Sequence, residues 1–225
     1  DGVIEWRSDV VDVRKGWKIC WATRPPSPPP QRPSPPSPPS PPSPPPPPPL
    51  PPLSPGYVAA ESEDQLRNLI EEPTSADVSI YLLPGAEFKL SSQISCTSTI
   101  KVTVASSGEG STLDGQGETR LFYLSGGCSL TLRRLNLANG RSAGSGGVVY
   151  AYGAGEVEII DSTVRDCSAG HDGGVVYAQD SGAVSIIGST VTGCSADQDG
   201  GVVYASSSGA VSIINSTVTG CSAGS

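Results

Sequence analysis

Short stretches of alternating apolar and polar residues follow one another along the C-terminal part of the chain, in a pattern that recurs every 27 residues. The string GGVVYA begins at Gly146, Gly173 and Gly200, and each copy is followed by V-x-I-I and then by S-T-V. Alternation with a period of two is typical of strands that bury one face. A 27-residue unit is too small to enclose a core, so successive units are expected to stack and cover one another.

Stacking predicts columns of equivalent side chains, because residues 27 apart would lie about 4.8 Å from each other. The expected inward columns are Val149, Val176 and Val203; Val157, Val184 and Val211; Ile159, Ile186 and Ile213; and Val164, Val191 and Val218. The same phase extends upstream, where Leu121, Tyr123, Leu130, Leu132 and Leu137 precede Val148, Tyr150, Val157, Ile159 and Val164 by 27 residues. A propeller or sandwich fits less well, since those folds usually need longer units and antiparallel hairpins.

Ahead of the repeats, the segment SEDQLRNLIEE predicts a short helix over residues 62–72. Ser62 and Gln65 have the spacing of a capping box, and Pro73 ends the pattern. Only short strands are predicted after it, in the order VSIYLL, FKL, TIKVTVA, RLFYL and SLTLRRLNL. Gly, Ser and Asn residues lie between these strands, as expected for turns.

Residues 25–55 hold 21 of the 23 prolines and predict a rod. Proline fixes φ and lacks an N–H donor, so polyproline II is expected, reaching roughly 95 Å at about 3.1 Å per residue. The Ser-Pro-Pro repeats resemble hydroxyproline-rich glycoproteins of the extensin and pherophorin type. The resemblance implies hydroxylation and O-glycans at Pro28, Pro29, Pro35, Pro36, Pro38, Pro39, Pro41, Pro42, Pro44, Pro45, Pro46, Pro47, Pro48, Ser34, Ser37, Ser40 and Ser43. A PxxP ligand for SH3 or WW domains is the competing interpretation.

Residues 1–24 predict two short strands, VIEW and GWKICWA, with a strongly apolar face. An isolated pair of strands cannot bury three Trp side chains, so a partner surface is needed. The segment EWRSDVVDVRKGWKICW resembles the closing strands of CUB-like domains, which leaves Cys20 without its usual partner. Either the sequence is a fragment or another chain supplies the missing sheet. The candidate assembly residues are Trp6, Trp17, Ile19 and Trp21.

The six cysteines include no CxxC pair, which argues against a zinc site. A column of buried free thiols is predicted at Cys167, Cys194 and Cys221, although their separation also permits a disulfide. Cys96 and Cys128 lie about one coil apart and are the better disulfide candidates. No metal and no cofactor is predicted.

Tyrosines form a further predicted column at Tyr123, Tyr150, Tyr177 and Tyr204. Their parity is opposite to that of Val149 and Ala151, so they are expected to point outward. Such a stripe could contact a glycan or a neighbouring chain, or the rings could simply stack on one another. The residues alone leave these alternatives open.

Charge gives little support for a catalytic site. The net charge of −8 argues against a nucleic-acid partner, and no apolar run approaches the roughly 20 residues of a membrane span. One coil is rich in charge, with Glu156, Glu158, Asp161, Arg165 and Asp166, but the next two coils replace these residues with small or neutral ones. A solvated outer face is therefore expected there, and no catalytic residue is predicted.

Two smaller features at the corner that follows each cysteine are also expected to be structural. Asp172 and Asp199 each precede a Gly pair, which is ordinary turn chemistry, with calcium as the alternative. His171 has no equivalent in the other repeats and is expected to be a surface loop residue.

The segment TLDGQGETRLFYLSGGCSLTLRRLNLANG and the GGVV…STVxxC repeats are similar to right-handed parallel β-helices of the pectin-lyase-like class. The repeats also resemble the GGA(I/L)…FxxN repeats of polymorphic outer-membrane autotransporters, with Val replacing Phe and Cys replacing the ladder Asn. The resemblance covers residues 56–225 and implies an all-β fold, but it says little about function.

The expected organisation is a Trp-rich β segment (1–24), a glycosylated polyproline II rod (25–55), and a right-handed β-helix with an N-terminal capping helix (56–225). The expected function is that of a secreted structural glycoprotein of an extracellular matrix, cell wall, or ciliary or cell surface. Its expected partners are other copies of itself in a head-to-tail fibril, covalent O-linked glycans and cell-wall polysaccharide. Asn215 begins an N-glycosylation sequon. The alternatives are a pectin-lyase-like polysaccharide lyase or hydrolase, and a glycan-binding adhesin.

Overall fold

The computed structural model describes residues 56–74 and 77–224. The Trp-rich segment and the proline-rich segment lie outside the described residues. So do the assembly positions and the hydroxylation and O-glycosylation positions predicted in them. The described part is a parallel β-solenoid, in which the chain winds through four sheets and each new coil pairs with the one before it.

One helix and 22 strands occur in the described ranges. The helix is α1 (Glu63–Glu71). Sheet A contains β1 (Tyr57–Ala60), β2 (Asp77–Leu82), β5 (Lys101–Ala105), β8 (Ser129–Arg133), β12 (Val157–Ile160), β16 (Val184–Ile187) and β20 (Val211–Ile214). Sheet B contains β3 (Glu87–Lys89), β6 (Ser111–Asp114), β9 (Leu135–Ala138), β13 (Thr163–Arg165), β17 (Thr190–Thr192) and β21 (Thr217–Thr219).

The other two sheets complete each coil. Sheet C contains β4 (Ile94–Cys96), β7 (Phe122–Leu124), β11 (Val149–Tyr152), β15 (Val176–Gln179) and β19 (Val203–Ser206). Sheet D contains only two-residue strands, β10 (Arg141–Ser142), β14 (Ser168–Ala169), β18 (Ser195–Ala196) and β22 (Ser222–Ala223). A full repeat therefore visits sheets C, A, B and D in turn.

The strand register confirms the predicted stacking at 27 residues. Val149 pairs with Val176, which pairs with Val203. The other predicted Val and Ile columns have the same register in sheets A and B. The upstream phase is confirmed as well, since Leu130, Leu132 and Leu137 lie opposite Val157, Ile159 and Val164.

The core is the stack of inward columns. Ile159 and Ile186 are completely buried, and the alternation of buried and partly exposed residues follows the predicted faces of β12 and β16. Leu66 and Ile70 of α1 belong to the same buried cluster. The helix begins as predicted, because the Ser62 hydroxyl accepts a hydrogen bond from the Gln65 backbone N–H at 3.3 Å.

The predicted strand SLTLRRLNL is wrong as a single element. It is split into β8 and β9 at Arg134, whose φ of 54° lies in the left-handed region. One coil later, Asp161 occupies the same corner with φ of 48°. The chain must turn from sheet A to sheet B at this point, and one continuous extended strand cannot do so.

The two glycines that open each repeat are needed for different physical reasons. Gly173 has φ of 68°, a left-handed conformation that side chains rarely adopt. At Gly174 the backbones of successive coils approach closely, and a Cβ would overlap the carbonyl oxygen of Gly201 in the next coil. The first glycine therefore makes the turn, and the second allows the coils to pack.

Within the described ranges, no helix combines the length and the apolar character needed to cross a membrane.

Replacing Ile186 with Ala should lower the free energy of unfolding by about 2–5 kcal/mol, because the buried column would lose methylene groups and keep a cavity. The matched control is Ile187→Ala, the neighbouring residue on the partly exposed outer face of the same strand. Urea unfolding followed by circular dichroism measures both losses. Equal losses would contradict the assignment of inner and outer faces.

Candidate functional site

A column of four tyrosines lies on the outer face of sheet C. Tyr123, Tyr150, Tyr177 and Tyr204 are in register on successive strands and are all partly exposed. Successive ring centroids are 5.5, 5.0 and 5.4 Å apart, with interplanar angles of 7°, 11° and 5°. Both faces of Tyr150 and Tyr177 are thus covered by neighbouring rings, so these two tyrosines have no free face on which a sugar could stack.

Arg120 packs against this column. Its guanidinium carbon lies 4.9 Å from the centroid of the Tyr150 ring, a cation–π contact. The guanidinium also donates hydrogen bonds to the Ser142 hydroxyl and, at 2.8 Å, to the Ser145 carbonyl. Burial lowers the pKa of Arg120, while the nearby tyrosines act in the opposite direction. Sequence reasoning missed this residue because Gly147 occupies the equivalent position one coil later.

Serine hydroxyls form two further columns that link successive coils. Ser189 accepts a hydrogen bond from the Ser162 backbone N–H at 3.1 Å, and Ser216 accepts one from Ser189 at the same distance. The Ser189 hydroxyl also donates to the Ile187 carbonyl at 2.9 Å. A second column makes the same bond between the Ser181 backbone N–H and the Ser208 hydroxyl. The signal was present in the sequence, where Ser recurs every 27 residues in the S-T-V strings.

The cysteines fall into two groups. Cys96 and Cys128 form a disulfide with a sulfur–sulfur distance of 2.08 Å. Cys167 and Cys194 are free and buried. Cys221 is also free but only partly buried, which corrects the prediction that all three are buried. It belongs to the last described coil, where no further strand packs over it.

The thiols of the second group contact one another. The Cys194 backbone N–H donates to the Cys221 sulfur at 3.4 Å. A thiol–thiol hydrogen bond raises the pKa of Cys167 well above its usual range, and burial adds to this shift. The same hydrogen bond lowers the pKa of Cys194, because it stabilises the Cys194 thiolate.

The charged residues of the coil at 156–166 are not brought together into one cleft. Glu158 lies on sheet A and accepts a hydrogen bond from Thr131 at 3.0 Å, whereas Arg165 lies at the end of a sheet B strand and pairs with Asp166 at 3.3 Å. Asp161 lies between the two sheets, 3.9 Å from Arg134. A surface pocket of about 200 Å³ there is lined by Arg134, Asn136, Asp161 and Thr163, among others.

The turn residues are held by backbone hydrogen bonds. The Asp172 carboxylate accepts a hydrogen bond from the Asp199 backbone N–H at 3.2 Å, and the His171 backbone N–H donates to the Gly144 carbonyl at 3.1 Å. Asn215 is exposed, with φ of 50°, at the corner between sheets A and B. Among the residues that the structure describes, no three His, Cys, Asp or Glu side chains are grouped to hold a metal ion.

In comparisons with known proteins, no family model matches the chain, and no curated protein or solved structure matches it.

Replacing Tyr150 with Leu should lower the free energy of unfolding by about 1–3 kcal/mol, because two stacked pairs are lost at about 0.5–1.5 kcal/mol each. Tyr150→Phe should retain most of that stability. The matched control is Tyr152→Leu, on the same outer face but 48% exposed. Urea unfolding measures all three variants, and a larger loss for Tyr152→Leu would contradict a stabilising role for the column.

Alkaline pH should lower the contribution of the tyrosine column to the stability of the fold. Burial, together with Tyr150 and Tyr204, raises the pKa of Tyr177, so the folded chain holds this phenolic proton more tightly than the unfolded chain does. This contribution to stability is present below the ordinary pKa of about 10 and is lost as pH rises through the raised value. Tyrosinate absorbance should show a late-titrating component that disappears in Tyr177→Phe; its persistence in that variant would refute the assignment.

Proposed function

We propose that the protein is a structural component of an extracellular or cell-surface fibril or matrix. The observation that supports this most strongly is the unbroken register of side chains from coil to coil, inside and outside the solenoid. Every residue in such a column contributes to stacking. We expect such a stack of coils to form a stiff rod, which suits a mechanical role better than a catalytic one.

The last described coil supports head-to-tail assembly. Val211 and Ile213 are each 45% exposed, whereas their column neighbours Val184 and Ile186 are at most 1% exposed. Among the described residues, the strands β19 to β22 pair on one side only, and we propose that strands of another copy pair with their other edges. An interface of this kind is heterologous and can propagate into a fibril.

The occupant that we propose for this end is another copy of the chain. The alternating apolar face predicted around Trp17, Ile19 and Trp21 has the pattern needed to add strands to an open edge. At the other end of the described solenoid, α1 buries Leu66 and Ile70 in the core, which supports a capping role for the helix. We further propose that the β-helix is right-handed.

The proline rod completes the proposal. Its Ser-Pro-Pro repeats suit a hydroxylated, O-glycosylated spacer, and this supports the proposal of a secreted, matrix or wall setting. Asn215 lies on an exposed corner where an N-linked glycan would meet solvent. Mass spectrometry of the protein from its natural source tests this part, because hydroxyl and pentose additions should fall on peptides from residues 25–55. Unmodified peptides would contradict it.

Assembly is tested by sedimentation and electron microscopy of the full chain. The unmodified sequence should form larger species as concentration rises, and these should be elongated particles in the microscope. Ile213→Lys should block assembly, because it places a charge on the apolar face of the last described coil. Ile187→Lys, on the outer face one coil earlier, should assemble normally. Monodisperse monomers of the unmodified sequence at high concentration would overturn the assembly proposal.

The same preparations separate the two alternatives. Turnover of pectin or alginate would favour a polysaccharide lyase or hydrolase. Binding on a glycan array that is lost in Tyr123→Leu and Tyr204→Leu, the two end rings of the column, would favour an adhesin. The structural proposal predicts neither result.

A further inference from the structure

The column of three free cysteines lies in register at one corner of the solenoid. Cys167 and Cys194 each sit between a sheet B strand and a sheet D strand, and the strands on both sides are paired coil to coil. The same holds for Cys194 and Cys221. Strand spacing of about 4.8 Å falls within the Cα separation of about 4.4–6.8 Å that a disulfide spans.

Cys194 differs from the other two because it has a thiol on each side. Its backbone N–H donates to the Cys221 sulfur of the following coil at 3.4 Å, and Cys167 lies in register with it in the preceding coil. On the far side of Cys167, the column position is occupied by Gly140, which has no side chain. Cys167 and Cys221 are two coils apart, about 9.6 Å at the usual strand spacing, and cannot bond to each other.

The solenoid already accommodates a disulfide between successive coils. Cys96 ends β4, and Cys128 follows β7, the strand that pairs with β4. Their Cα atoms are 6.0 Å apart. A cross-link between neighbouring coils is therefore compatible with the stacking.

We propose that the cysteine column is a disulfide site with Cys194 as the shared partner, bonded to either Cys167 or Cys221 while the third thiol stays free.

The oxidant is a small-molecule disulfide such as oxidised glutathione. The thiolate of Cys221, the least buried of the three, attacks one sulfur of the oxidant, which releases one thiolate and leaves a mixed disulfide. The Cys194 thiolate then attacks the Cys221 sulfur and releases the second thiolate. Two protein thiols are oxidised, two equivalents of small thiol are formed, and the protein's two protons pass to those thiolates.

The odd thiol allows the bond to move along the column. When Cys194 is bonded to Cys221, the Cys167 thiolate can attack the Cys194 sulfur. A Cys167–Cys194 bond forms, and Cys221 leaves as a thiolate that takes up the proton given up by Cys167. No net oxidation occurs, so the cross-link shifts by one coil without further oxidant. The accessible free thiol therefore appears or disappears at Cys221.

The test is disulfide mapping of the full chain in a Cys20→Ser background, before and after incubation with oxidised glutathione. Remaining thiols are trapped with N-ethylmaleimide in denaturant at mildly acidic pH, where thiol–disulfide exchange is slow, and peptides are identified by mass spectrometry. After oxidation, Cys194 should be found bonded to Cys167 or to Cys221. Cys167→Ser and Cys221→Ser should each keep one bond to Cys194, whereas Cys194→Ser should leave both remaining thiols of the column free.

Two results would overturn the proposal. One is complete alkylation of Cys194 in the unsubstituted column after oxidation. The other is a bond between Cys167 and Cys221 in Cys194→Ser with an unchanged far-ultraviolet circular dichroism spectrum, since the described register forbids that pair. The Cys96–Cys128 bond serves as the internal control for the mapping.

Discussion

The 27-residue register between successive coils is the constraint on which the rest of the molecule depends. Backbone hydrogen bonds between parallel strands hold each residue over its equivalent in the previous coil. A slip of one residue would move every buried Val and Ile to the outside, because side chains alternate between faces. The serine columns add hydrogen bonds that a backbone N–H of one coil donates to a hydroxyl of the next coil, so they reinforce the same register.

The register also decides which side chains the outer face can carry. Equivalent positions lie about one strand spacing apart, so repeated aromatic rings stack, whereas repeated like charges would repel. The charged coil follows this rule. Glu158 lies between Thr131 and Ser185, and Arg165 lies between Ala138 and Thr192. Charges that occur in only one coil are therefore compatible with stacking, whereas the stacked pair Asp172 and Asp199 lies at a turn where the Asp199 backbone N–H donates to the Asp172 carboxylate.

The features that the sequence predicted well are those that repeat. Val149, Val176 and Val203 could be placed in one column because the same letters recur at a fixed interval, and the tyrosine column followed in the same way. The features that were missed depend on single residues or on backbone conformation. Arg120 has no repeated equivalent. The break at Arg134 depends on a left-handed backbone conformation that an Arg in the sequence does not predict. The partial exposure of Cys221 depends on what packs against its coil, which periodicity does not encode.

Nuclear Overhauser contacts between methyl groups of Ile159, Ile186 and Ile213 test the stacking most directly. In isoleucine methyl-labelled protein, the register predicts cross-peaks from Ile159 to Ile186 and from Ile186 to Ile213, since each pair is one strand spacing of about 4.8 Å apart. It predicts none between Ile159 and Ile213, which are two spacings apart. The absence of both neighbouring contacts, or a direct contact between Ile159 and Ile213, would contradict the account.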